Sequence, residues 1–89
     1  MSRIQNEIIV TGNVYKYDKE ENALYVQFAS YQIAKVLGAP EVPVGKYVHV
    51  TGEELTVQSY VIHTRRNGKQ VLRVLSIRPE GIQIWGSII

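Results

Sequence analysis

Apolar and polar residues alternate with a period of two along most of this chain, the pattern of strands with one face buried. Across residues 7–17 one parity carries Ile8, Val10, Gly12 and Val14, and the other carries Ile9, Thr11, Asn13, Tyr15 and Tyr17. The first row suits a core and the second a polar, aromatic outer face. Gly12 within the run is expected to let a long strand bend between two sheets. Residues 18–22 read as an acidic turn. Residues 22–29 alternate again, with Leu24, Val26 and Phe28 opposite Tyr25 and Gln27. Those neighbours assign Phe28 to the core.

The period then changes. Ser30 is a candidate N-cap, Ile33, Val36 and Leu37 fall at helical spacing, and Gly38 is a natural stop ahead of Pro40. The spacing predicts a short helix of about two turns, followed by a loop through Pro43. Alternation resumes over 47–53, with Val48 and Val50 inward and Tyr47, His49 and Thr51 outward. Residues 57–77 hold two β-rich runs around Arg65, Arg66, Asn67, Gly68 and Lys69, where Asn-Gly predicts a type I′ hairpin turn. Residues 78–81 predict a further turn. Ile82 and Ile84, with Gln83 and Trp85 between them, predict a short last strand. The expected order is strand, strand, short helix, strand, hairpin, strand. Such an all-β chain folds as a small barrel or sandwich.

At 89 residues there is room for one core, so residues 1–89 are read as a single domain. The chain has no cysteine, which excludes a disulfide framework, a thiol nucleophile and cysteine-ligated zinc. His49 and His63 alone do not make a metal site, and neither a metal nor a cofactor is expected. The opening residues 1–7 are polar, without the apolar stretch of a signal peptide, and no run is long enough to span a bilayer. A cytoplasmic protein with no membrane partner is expected. The net charge of +2 matters less than its distribution. Between residues 55 and 79 there is no Asp or Glu, yet Arg65, Arg66, Lys69, Arg73 and Arg78 all fall there. A basic segment of this kind is either a footprint for phosphates or a guarded strand edge.

Two stretches carry a family likeness. Residues 6–14 (NEIIVTGNV), an Asn, then apolar residues, then Gly-Asn, resemble the opening strand of the bacterial single-stranded-DNA-binding protein (SSB) family and of its shorter relative, primosomal protein B. Residues 44–53 (VGKYVHVTGE) resemble the strand that follows the family's helix. A long hairpin and a final Ile-Gln-Ile come in the same order, so the likeness touches roughly two-thirds of the chain. The resemblance implies an OB-fold barrel that binds single-stranded DNA, or alternatively RNA, in DNA replication, and that assembles as a homo-oligomer. There are departures. An OB barrel places three strands before its helix and this sequence offers two. The long loop between the second and third strands has no room. Residues 86–89 (GSII) do not match the acidic tail through which the family recruits partners. The resemblance therefore implies a shortened barrel, completed or buttressed by a second subunit, without hub activity.

Holding a single strand without sequence preference takes cations along the phosphates and flat side chains for unstacked bases, each stack contributing about 1–3 kcal/mol. Tyr15, Tyr17, Tyr25, Tyr47 and Tyr60, with Lys16 and Lys46 beside them, supply both. Taken singly, each tyrosine also fits half-buried packing under a loop or in an interface. Arg65, Arg66 and Lys69 occupy the hairpin tip, which corresponds to the loop that closes over single strands in OB domains. Arg73 interrupts the row Lys69, Val71, Leu75, where a core position would leave its charge unpaired, and it is read as a phosphate contact. Trp85 is read as structural, capping the barrel end or an interface. The resemblance puts Phe28 near a base-stacking position. No serine has a placed histidine–acid partner, and Val44, Gly45 and Lys46 lack the rest of a phosphate loop. No enzymatic activity and no small-molecule substrate are expected. The alternative is an assembly module on the same scaffold, its interface made by the tyrosines and the ending Ile88-Ile89.

Overall fold

The computed structural model describes residues 6–87; residues 1–5 and the Ile88-Ile89 ending lie outside them. Its strands are β1 (Glu7–Asp18), β2 (Ala23–Ala29), β3 (Gln32–Leu37), β4 (Lys46–Thr64) and β5 (Gly68–Ser87). They close a barrel in the order β1-β2-β3-β5-β4, with β4 returning to β1. Neighbours are antiparallel except β3 and β5, which run parallel from Gln32↔Arg73 to Val36↔Ile77.

The chain is all-β, as its alternation implies, but the expected helix is not there. Residues 32–37 form β3, and among the described residues there is no helix. Ile33, Val36 and Leu37 fit helical spacing, yet the same run also alternates. Ala34 and Val36 face the core opposite Val26 and Leu24, while Ile33 and Lys35 face outward. Ile33 is nevertheless covered from outside, at 8% exposure. A strand buried on both faces gives a near-continuous apolar run that periodicity cannot tell from a helix. Gly38, at φ 69°, ends this strand, its N–H donating to the Asn22 carbonyl at 2.7 Å. β3 is thus the third strand that the sequence reading lacked. With it, five strands close a ring within one chain.

Two boundaries also move. The strand expected at 47–53 and the ascending hairpin arm are one continuous β4, and the turn expected at 78–81 lies inside β5. Their pairing shifts register at Tyr47/Val48, Thr51/Gly52 and Glu54/Thr56, leaving Trp85, Glu80 and Leu55 without an opposite residue. Such bulges bend a strand and raise its twist, so β4 and β5 coil round the barrel without breaking.

The core draws on every strand: Val10, Val14, Leu24, Val26, Val36, Val48, Val50, Leu75 and Ile77. Fully burying one such side chain contributes about 1.5–3 kcal/mol. The loop between β3 and β4 adds Ala39 and Val42, and Phe28 packs against the cluster as its neighbours imply. Gly12 faces the β2 backbone at Gln27, and Gly52 faces the β5 backbone at Arg78; a Cβ at either would collide with a carbonyl oxygen. Close approach of two backbones, rather than a bend alone, is what requires glycine at both.

Candidate functional site

β4 and β5 extend beyond the barrel as a two-stranded arm, and one face of that arm overhangs the outside of β2 and β3. Between them lies an open groove of about 510 Å³, lined by Tyr15, Gln27, Tyr31, Ile33, Ile62, Asn67 and Leu72, with Ser30 at its edge. Gln27 and Ile33 are cross-strand partners on the outer face, so they form the floor. Ile62 and Leu72 form the overhang. Tyr15 and Tyr31 stand at the rim, and Tyr15 keeps 53% of its surface exposed.

The hairpin tip is anchored to this groove. Asn67 Nδ2 donates to the Tyr31 hydroxyl at 3.2 Å, and the Arg73 N–H donates to the Tyr31 carbonyl at 2.9 Å. The type I′ turn expected here is replaced by another geometry, because of the tip residues only Gly68 has positive φ (70°). The Thr64 hydroxyl accepts the Asn67 N–H at 3.0 Å, which holds Asn67 out of the left-handed region. Arg65, Arg66 and Lys69 are exposed at this tip. Tyr31, which the sequence reading passed over, is itself left-handed at φ 59°. A bulky residue there is an outlier, and such strain concentrates at functional positions.

The groove runs on toward a second group. Along the outer face of β2, Tyr25 stands two residues from Gln27, flanked by Lys16 on β1 and Lys35 on β3. The Lys16 ammonium lies 4.8 Å from the Tyr25 ring centre, a cation–π contact, and that of Lys35 lies at 6.0 Å. Glu21 closes this end. Its carboxylate accepts from Lys35 at 2.8 Å and from the Tyr25 hydroxyl at 2.6 Å. Those two hydrogen bonds hold the Glu21 carboxyl below the usual range, and the bond that Lys35 donates to it raises Lys35. Desolvation, then the bond to Glu21, raises the Tyr25 phenol.

Charge is therefore polarised along β2. The acidic turn at 18–22 lies at one end and the Arg65–Lys69 tip at the other, about 20 Å apart for a seven-residue strand. Among the described residues the ion pairs are Lys35–Glu21 and Arg78–Glu53, so Arg65, Arg66, Lys69 and Arg73 have no carboxylate partner there.

The other expected site residues disperse. A bulge in the β1–β2 pairing between Val14 and Lys16 breaks the parity shared by Tyr15 and Tyr17. Tyr17 consequently packs against the core, its hydroxyl donating to Asn22 at 2.8 Å. Tyr60 is exposed on the same arm face as Leu72, its cross-strand partner, and its hydroxyl donates to Gln58. Arg73 is exposed on the opposite face of β5 from Leu72 and does not line the groove. Lys46 is half-buried at the start of β4. Tyr47 belongs to a separate cluster on the outside of β1, β4 and β5. There the Trp85 ring lies nearly parallel to His49, at 5.1 Å and 9°, and 5.6 Å from Tyr47. His49 Nδ1 shares a hydrogen bond with the Thr11 hydroxyl at 2.9 Å. Trp85, read from sequence as a structural cap, keeps 56% of its surface exposed.

Comparison with protein-family models, curated proteins and solved structures returned no match for this chain.

Proposed function

We propose that this chain is an OB-type barrel that holds single-stranded DNA on the outer face of β2 and β3, under the β4–β5 arm, without sequence preference and without performing chemistry on it. The observation that carries this reading is the groove itself. It joins a floor of Gln27 and Ile33 and an apolar overhang to two rim tyrosines, and its roof ends in Arg65, Arg66 and Lys69. OB barrels bind oligonucleotides on the face of their second and third strands, with the loop between the fourth and fifth closing over it. The strand order and the parallel β3–β5 pair are consistent with that fold. Apolar and aromatic surface receives bases, and cations at the mouth receive phosphates.

The test is fluorescence anisotropy of labelled dT15, U15 and a 15-base-pair duplex at low and high salt. The reading requires tight, salt-sensitive binding of dT15 and weak duplex binding. Equal affinity for U15 would extend the ligand to RNA. Absence of single-strand binding at low salt would sink the proposal.

A second reading, an assembly module, has its own observation. Val57, Val61 and Val71 are exposed on the arm face opposite Ile62 and Leu72, continuing the barrel's inner row past its end. Sedimentation of the free protein addresses it: a stable homo-oligomer with no oligonucleotide affinity would favour this reading.

A further inference from the structure

The Trp85 cluster lies outside the groove, yet one cross-strand row connects them. Ile33, Gln27, Asn13 and Tyr47 are successive register partners across β3, β2, β1 and β4, and Tyr47 pairs with Gly86 beside Trp85. All belong to the outer face. Three strand spacings separate Gln27 from the end of β5, about 14 Å around the barrel. At the rise of about 3.4 Å per stacked nucleotide, four nucleotides span that distance.

The residues at the far end are arranged as a stacking platform rather than as packing. Trp85 is the unpaired residue of the β4–β5 bulge, and bulges re-aim side chains. Its indole rests on His49 and Tyr47, and Gln83 Oε1 accepts the indole N–H at 3.1 Å. These contacts fix the ring while more than half of the residue stays exposed. A pre-positioned, half-exposed aromatic loses little freedom when a base lands on it. Between the two stations, Asn13 is exposed and polar.

The geometry points to Trp85 as a second base-stacking station for the same strand. A single strand leaving the groove past Tyr15 crosses Asn13 and Tyr47 and stacks a nucleobase on the indole. This rests on the groove reading above. The ligand class at Trp85 is an unpaired nucleobase of a strand already held under the arm.

Trp85 is the chain's only tryptophan, so its emission reports on this station alone. The experiment titrates dT15 into the full chain, following anisotropy of the labelled strand and tryptophan emission together. Parallel titrations use Trp85→Ala and Trp85→Phe. Quenching at the stoichiometry of binding is expected, with roughly tenfold weaker dT15 affinity for Trp85→Ala and near-recovery in Trp85→Phe. Binding of dT15 with unchanged emission and unchanged affinity of Trp85→Ala would overturn the station while leaving the groove intact. Emission that shifts on diluting the free protein would overturn it in favour of a contact between copies. Failure of dT15 to bind at all would overturn both readings.

Discussion

Asn67, at the tip of the β4–β5 arm, donates a hydrogen bond to the hydroxyl of Tyr31, in the turn between β2 and β3. That bond ties the roof of the groove to its rim. A two-stranded ribbon is marginally stable by itself. Its position over the barrel therefore depends on a few such contacts, with the Arg73–Tyr31 backbone bond at its base.

Tyr31 separates stability from binding. Replacing it with glycine removes the left-handed strain, about 1 kcal/mol for a residue with a Cβ, and also removes the rim ring. Strain relief then offsets the lost Asn67 bond, so Tyr31→Gly is expected to melt within a few degrees of the parent while binding dT15 about tenfold more weakly. Thermal melts and anisotropy on the same preparation check it. Parent-like binding would remove Tyr31 from the interface.

The arm's charge has a salt signature. For single strands, each phosphate neutralised contributes about 0.7 to the slope of log affinity against log salt. Replacing Arg65, Arg66 and Lys69 together by glutamate should abolish tight binding. Replacement by glutamine should lower the slope by about 2. A glutamine variant with the parent's slope would move the phosphate track elsewhere.

Glu21 gives a pH dependence of known sign. Its folded-state carboxyl lies below the ordinary glutamate value because Lys35 and Tyr25 bond the ionised form. The stabilisation is thus complete above that ordinary value and is lost as pH falls through the folded one. Lys35, raised by the same contact, loses its share only as pH climbs past its own folded value. Glu21→Gln should flatten the acid limb of stability measured by urea denaturation between about pH 7 and about pH 3. It should also free Lys35 for phosphate and tighten dT15 binding a fewfold; weaker binding would mean that Glu21 orients the Lys16–Tyr25–Lys35 row.

Barrel closure is tested at glycine. Gly52→Ala drives a Cβ into the Arg78 carbonyl and should destabilise by about 3 kcal/mol or more. Gly81→Ala meets only the Thr51 hydroxyl at 3.2 Å, which can rotate away, and should cost less than about 1 kcal/mol. Denaturant melts of the two variants check the ranking. Equal losses would mean that backbone proximity at Gly52 is relieved by a shift of β5.

Residues 6–87 divide by how local their determinants are. Alternation fixed β1, β2 and the inner rows Val48–Val50 and Leu75–Ile77, because a strand with one face in a core must write its period into the chain. Gly68 marked the hairpin, and the acid-free stretch from 55 to 79 marked the basic arm. The tertiary structure alone decided β3. Its six residues fit two periods, and pairing to β2 and β5 on opposite edges selected the strand. It alone decided that Tyr15 and Tyr17 part company, because a bulge is a mismatch between two strands and neither strand states it. It also brought Tyr31 to Asn67 and Trp85 to His49, pairs 36 residues apart in each case. A sequence sets the face on which a side chain stands; which distant side chain shares that face depends on register and closure, and those exist only once the barrel has formed.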